Sequence, residues 1–251
     1  LIIITIAGYR FLQDRPETVG LPSVTDWKNE ESVKKVSKNF KEVLHNQLKI
    51  IRYPSIWILG LASATMYVTR YAINSWGVLY LQEARGYSLI EAGGLVGLNT
   101  FTGIIGCVAY GYISDKYFSA RRPPVTLMFG IAEIGSLFLI FYGPQSTFTL
   151  TVAFIIYGFS LSGLLAVLGG LFAIDIAPKN ITGAAMGFIG LFSYIGAAIQ
   201  EKVSSLLIKS TKLDTNSEII YDFESVIIFW ISASVISFFL SLSLWNHKIK
   251  D

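Results

Sequence analysis

Charge is scarce in this chain. Acidic and basic residues make up 15% of its 251 positions, against about a quarter in soluble domains. The net charge of +3 is too small for a nucleic-acid binder. Cysteine is nearly absent: Cys107 stands alone inside an apolar run, which excludes an internal disulfide scaffold. Histidine occurs twice, as His45 and His247, both outside the long apolar runs. A nucleophilic serine in the membrane, for which Gly158-Phe159-Ser160 would be the nearest match, therefore lacks its base. There is no metal-ligand cluster and no phosphate-cradling Walker loop. The expectation is a protein that is not an enzyme and carries no cofactor or metal.

What remains is apolar. Hydrophobic residues make up 53% and the mean hydropathy is +0.55, so lipid is the expected solvent. Crossing the bilayer takes roughly 20 residues. Six runs meet that length: 53–81, 90–113, 125–142, 148–173, 183–208 and 225–244. The links between them are short and carry breakers such as Gly143-Pro144 and Pro178-Lys179-Asn180, so neighbouring helices run antiparallel. Spans of a β-barrel would alternate in hydrophobicity over about 10 residues, which these runs do not.

The chain opens on Leu1-Ile-Ile-Ile without methionine or a basic leader, then turns polar after Phe11. This predicts that 1–11 is the end of a further span, and that the chain is a fragment. Residues 12–52 then form a linker, 53–245 a six-helix bundle and 246–251 a tail. Within the linker, Val33, Val36, Phe40, Val43, Leu44 and Leu48 recur at helical spacing between lysines. Two readings stand: an amphipathic helix on the membrane surface, or a solvated linker helix. Lysines and arginines gather in the linker, after Ile113, after Ala173 and at the C-terminus. The positive-inside rule makes that side, with the C-terminus, cytoplasmic.

Arg70 lies mid-span. Placing an arginine there costs roughly 2.5–3.5 kcal/mol even on the lenient insertion scale, so something must compensate it. On a helix Ser63, Tyr67, Arg70, Asn74 and Gly77 share one small, polar face, which suits a cavity wall. A guanidinium fork matches a phosphate bidentately. The predicted substrate-binding residues are therefore Arg70, Tyr67, Asn74 and Ser63. The competing reading is an internal ion pair, with Glu133 the nearest choice. Glu133 is itself either a proton-coupling carboxylate or a hydrogen-bonding group between helices. With no second carboxylate or histidine in the pattern, the second role is favoured. Glycines crowd 93–111 and 183–196, Gly183-x-x-x-Gly187 among them, as close-packed or sliding helices require. At the cytoplasmic end of the second run, Gly111, Asp115, Lys116, Arg121 and Arg122 fit a helix-end turn with a charge clamp between helices.

That loop resembles the signature of the major facilitator superfamily. The longer gap before its arginine pair resembles the organophosphate:phosphate antiporter family. Three further stretches resemble that family in the same order. They are Phe11-Leu12-Gln13-Asp14-Arg15-Pro16-Glu17-Thr18-Val19-Gly20-Leu21-Pro22, Tyr67-Val68-Thr69-Arg70-Tyr71-Ala72-Ile73-Asn74-Ser75-Trp76-Gly77, and Ala177-Pro178-Lys179-Asn180 with the run from Gly183-Ala184-Ala185-Met186-Gly187 to Ser193-Tyr194-Ile195-Gly196. The resemblance implies an all-α integral membrane protein. The chain would be the C-terminal six-helix bundle, helices 7–12, of a twelve-helix fold that works by alternating access, and 1–11 would be the end of helix 6. Arg70 matches the family's phosphate-binding arginine, whose partner arginine belongs to the missing N-terminal half.

The implied function is exchange of a sugar phosphate, a hexose 6-phosphate from the wording of 73–77, for inorganic phosphate across a bacterial inner membrane. An acidic residue that glycerol-phosphate carriers of the family hold near Thr100 is absent. Two alternatives stay open: a hexose-phosphate sensor that signals to a partner kinase, and a carrier of another organic anion.

Overall fold

The computed structural model describes residues 8, 10, 12, 19–22, 48–177, 181–212 and 219–245, with backbone alone at 209–212 and 219–220. Residues 1–47 form a unit apart from 48–251. The reading of 1–11 as the end of a further span, the surface-helix reading of 27–50, the family-like stretch 11–22, most of the linker, the turn 178–180 and the tail 246–251 fall wholly or largely outside the described residues.

Among the described residues, six helices are long and apolar enough to cross a membrane: α1 Pro54–Glu83, α2 Leu89–Tyr117, α3 Arg122–Tyr142, α4 Thr147–Ile176, α5 Thr182–Leu207 and α6 Glu224–Ser243. Their starts follow from local chemistry. Tyr53 is extended and Pro54 takes the first helical position of α1, where its missing N–H costs nothing. Ser88 and Glu91 form a reciprocal capping box on α2, with the Ser88 N–H donating to Glu91 Oε2 at 3.0 Å and the Glu91 N–H to Ser88 Oγ at 3.3 Å. The carboxylate of Asp222 accepts the Glu224 N–H at 2.9 Å where α6 begins. Between α5 and α6 the chain forms an antiparallel pair of strands, β1 Lys209–Lys212 and β2 Ile219–Asp222, with Lys209 opposite Asp222.

Packing places α1 against α5 and α6, α3 against α4 and α6, and α2 against α4. Two of these contacts rest on missing side chains. A Cβ on Gly106 would collide with the Phe159 carbonyl oxygen, and one on Gly158 with that of Asn99, so α2 and α4 touch through backbone. A Cβ on Gly196 would collide with the Ala64 carbonyl oxygen, which brings α5 onto α1. Gly103 likewise faces Ser162 of α4, but most of the other glycines singled out by density behave differently. Gly93, Gly94, Gly97, Gly183, Gly187 and Gly190 face open space, so Gly183-x-x-x-Gly187 is not a packing seam within this bundle.

The core holds Ile56, Leu59, Leu137, Phe154 and Trp230, each essentially without exposure. Coverage is uneven across the helices. Only 33% of the α2 span and 28% of the α5 span is buried, against 56% for α1 and α4. Phe101, Ile104, Val108, Leu191 and Tyr194 stand out on those open faces.

Candidate functional site

The regular α-helical path of α1 breaks one residue after Tyr71. Ala72–Trp76 form a π-helical turn before the α-helix resumes at Gly77. Such a turn inserts one residue into the helix and rotates the residues beyond it, and it is common at functional sites. Arg70 sits just ahead of it, partly buried, with its guanidinium carbon 5.3 Å from the Tyr67 ring and 5.8 Å from the Tyr71 ring. Tyr67 in turn meets Tyr194 of α5 edge-on at 5.8 Å. No described carboxylate forms an ion pair with Arg70.

Arg70 and Asn74 open onto a cleft of about 420 Å³. Its other walls come from α2, with Asn99, Thr100 and Cys107, and from α4, with Ser162. Asn99 Nδ2 approaches Asn74 Oδ1 at 3.5 Å across the α1–α2 contact. One cation thus faces an otherwise uncharged cleft whose lining mixes polar side chains with Ile104, Leu161 and Leu165, which can take a small anion bearing hydroxyl groups.

The structure separates the residues that the helical face grouped. Ser63 is 1% exposed and its hydroxyl lies 2.7 Å from that of Ser193, so it belongs to the α1–α5 contact and not to the cleft. A straight helical face takes no account of α5 crossing α1 at that level. Tyr67 supports Arg70 without lining the cleft, and Gly77 packs towards Val96 and Ile73. Asn99 and Ser162 come from other helices and carried no mark in the sequence, and Cys107 was marked only as the lone cysteine. Glu201 did carry one, as a lone acid in the apolar run 183–208. Its Oε1 accepts the Ser75 hydroxyl at 2.5 Å and its Oε2 accepts the Trp76 indole N–H at 3.0 Å, so both donors lie in the π turn.

Glu133 is 1% exposed and pairs with Ser234, whose hydroxyl donates to Oε2. It makes no ion pair with Arg70, which removes the salt-bridge reading of both residues.

In the α2–α3 loop the residues of the signature divide. Arg122 holds three helices together: Nη1 lies 3.4 Å from Asp115 Oδ1 and 3.2 Å from Ser114 Oγ, and Nε lies 3.2 Å from Asp175 Oδ2 of α4. Lys116 turns away, donating to the Tyr112 hydroxyl at 2.5 Å. Arg121 is exposed at the start of α3, and Gly111 meets nothing that a Cβ would touch. Ser119 and Ala120 take positive φ of 51° and 62° to turn the chain, an uncommon conformation for residues with a Cβ. At the opposite end, Arg85 closes α3 by donating to the carbonyls of Ile140 and Phe141 at 2.9 Å each and of Gly143 at 3.3 Å. These are carbonyls that a helix C-terminus leaves unpaired.

Residues 1–200 match the family model described as Major Facilitator Superfamily. The chain is 35% identical over 197 residues to the membrane sensor protein UhpC of Salmonella typhimurium, covering 75% of this chain and 43% of the relative. It is 31% identical over 216 residues to a probable hexose phosphate transport protein of Chlamydia trachomatis, covering 78% and 47%. It is 29% identical over 201 residues to the glycerol-3-phosphate transporter of Bacillus subtilis, covering 78% and 45%. The chain spans about half the length of these relatives. It belongs to the major facilitator superfamily, is a multi-pass membrane protein rather than an enzyme, and has its relatives in the organophosphate:phosphate antiporter branch.

Proposed function

We propose that this chain forms one half of an antiporter that exchanges a sugar phosphate, a hexose 6-phosphate above all, for inorganic phosphate across a bacterial inner membrane. The observation that carries the reading is Arg70: a partly buried cation deep in α1, without a carboxylate partner among the described residues, at a cleft whose other walls are neutral. Its fork receives the phosphoryl oxygens, while Asn74, Asn99 and Ser162 offer donors and acceptors to the rest of the substrate. The open faces of α2 and α5 meet a second six-helix half, which completes the cavity. The basic end of the bundle and the C-terminus face the cytoplasm.

Exchange results if bound phosphate favours the closed state over the open ones, since a ligand shifts an equilibrium only by its differential affinity. The Arg122 clamp ties α2, α3 and α4 into one body on the cytoplasmic side, so the gate there moves as a unit. The phosphate gradient supplies the drive.

A second reading has its own support. The relative at 35% identity is named a membrane sensor, whereas the hexose-6-phosphate:phosphate antiporter of Salmonella typhimurium is 26% identical. The two separate in proteoliposomes of the full-length protein, loaded with glucose 6-phosphate and offered labelled phosphate outside. Uptake that requires internal sugar phosphate or phosphate is the expected result. Tight binding of glucose 6-phosphate without uptake would make the protein a sensor, and exchange of other organic anions without phosphate would make it a different carrier.

A further inference from the structure

Among the described residues two spans contain a π turn, and the two turns differ in what they carry. Val167–Leu171 of α4 reads Val-Leu-Gly-Gly-Leu and has no polar side chain. Ala72–Trp76 of α1 reads Ala-Ile-Asn-Ser-Trp, and each of its three polar side chains reaches another helix. On one side, Asn74 Oδ1 accepts from Asn99 Nδ2 of α2 at 3.5 Å. On the other, the Ser75 hydroxyl and the Trp76 indole N–H donate to the two carboxylate oxygens of Glu201 on α5, at 2.5 and 3.0 Å. The turn that follows Arg70 is thus tied to α2 and to α5 at once.

Joining two helices does not require a carboxylate. Ser63 and Ser193 link α1 to α5 without a charge, whereas an acid inside a span is expensive. Glu201 is half-buried and makes no ion pair among the described residues. Its charge is met instead by donors from two consecutive residues of the turn. Hydrogen bonds to an ionised acceptor are about twice as strong as neutral ones, which suits holding a backbone path that helices rarely adopt. The helices on either side, α2 and α5, are also the least buried of the six spans. The carboxylate therefore adds a directed restraint where packing is thinnest.

We propose that Glu201 is a positioning residue for the anion cleft: by accepting from Ser75 and Trp76 it fixes the π turn of α1, and with it the placement of Asn74 and Arg70 at the substrate. The inference rests on the reading of the Arg70 cleft as the substrate site. Glu201 is not part of the cleft lining, so its effect travels through the backbone from Ser75 to Asn74. A binding site must be held to within about 0.5 Å to work. Without the carboxylate the turn can relax towards the ordinary α-helical path, which rotates the residues on its two sides relative to each other. The role needs hydrogen bonds and not charge. A glutamine can fill it, since its carbonyl oxygen accepts from the indole N–H and its amide donates to Ser75 Oγ. An alanine offers neither bond.

The test compares the full-length parent with Glu201→Ala and Glu201→Gln by two readouts. Amide hydrogen exchange in detergent, followed by mass spectrometry, needs no substrate. In Glu201→Ala the peptide over 72–77 is expected to exchange about ten-fold faster while α3 and α6 stay unchanged; in Glu201→Gln it matches the parent. The second readout is uptake of labelled phosphate into proteoliposomes loaded with glucose 6-phosphate. Glu201→Ala is expected to raise the KM for phosphate about ten-fold and to hold the maximal rate within about two-fold, as weakened binding requires. Glu201→Gln restores the KM of the parent. Trp76→Phe keeps the ring and removes one donor; it shifts both readouts the same way by less, and it serves if Glu201→Ala does not fold. A Glu201→Ala protein with a lowered unfolding midpoint but parental KM and parental exchange over 72–77 would make Glu201 a plain helix–helix contact and overturn the proposal. So would a Glu201→Gln protein as impaired as Glu201→Ala, since the charge would then be the working property. A parent that takes up no phosphate removes the antiport reading instead. Amide exchange, with glucose 6-phosphate affinity in place of KM, then still decides the role of Glu201.

Discussion

Arg70 and Cys107 are the two residues on which the cleft is most easily interrogated. Cys107 is exposed, is the only cysteine in the chain and shares the cleft lining with Arg70. A membrane-impermeant thiol reagent is therefore expected to label it, and millimolar glucose 6-phosphate is expected to slow that labelling several-fold. Labelling that ignores the sugar phosphate while binding is intact would place the substrate elsewhere. Ser63 makes the opposite case. It sits in the α1–α5 contact with Ser193, so Ser63→Ala should cost about 1 kcal/mol of stability and leave the substrate KM unchanged. A KM that rises more than ten-fold would return Ser63 to the site.

Much of this residue-level picture was legible, and the failures have physical causes. Arg70 stood out because a mid-span arginine is expensive and demands an explanation. Asn74 was grouped with it and lines the same cleft, although the π turn lies between Arg70 and Gly77 and a regular helix does not foresee it. Ser63 was misplaced because face arithmetic ignores which neighbouring helix covers that face. Asn99, Thr100 and Ser162 reach the cleft through the α1–α2 and α2–α4 contacts, and polar residues of that kind occur throughout membrane helices.

At the scale of the helices, the decisive contacts are those made by backbone. Gly106 and Gly158 let α2 and α4 touch without intervening side chains. Gly106→Ala is expected to destabilise the fold by about 1–3 kcal/mol, read as a lowered unfolding midpoint. Gly135→Ala on α3, whose Cβ meets nothing inside this bundle, should leave that midpoint unchanged. Equal effects at the two positions would refute the packing described for α2 and α4. The Arg122 clamp belongs to the same scale. Its carboxylates are 66% and 42% exposed at Asp115 and Asp175, so each pair contributes under about 1 kcal/mol. Asp175→Asn should accordingly keep the unfolding midpoint within a few degrees. If the clamp also acts as a gate, the same variant alters the rate of exchange, measured by initial uptake at saturating substrate.

The six spans were plain in the sequence because continuous apolar runs of about 20 residues have few other uses. Their termini follow from Pro54, the Ser88–Glu91 box and Asp222, all short-range signals. The pairing of helices was not legible, since dense glycines mark close approach without naming the partner. The result is that the glycine-rich 183–190 segment lies on an open face while Gly196, in the same helix, makes the contact.

For the whole molecule, the uneven coverage of α2 and α5 and the half-length match to the relatives fit one account: an anion cavity shared between two six-helix halves, with Arg70 as the phosphate group's partner on this side. That account is tested most directly by phosphate exchange in proteoliposomes of the full-length protein and its Arg70→Lys variant. Lysine keeps the charge but loses the forked donors. Exchange that falls by two orders of magnitude or more in Arg70→Lys, with the unfolding midpoint preserved, is the predicted result. Exchange that proceeds in the variant at close to the parent rate would contradict it and leave Arg70 without a role at the substrate.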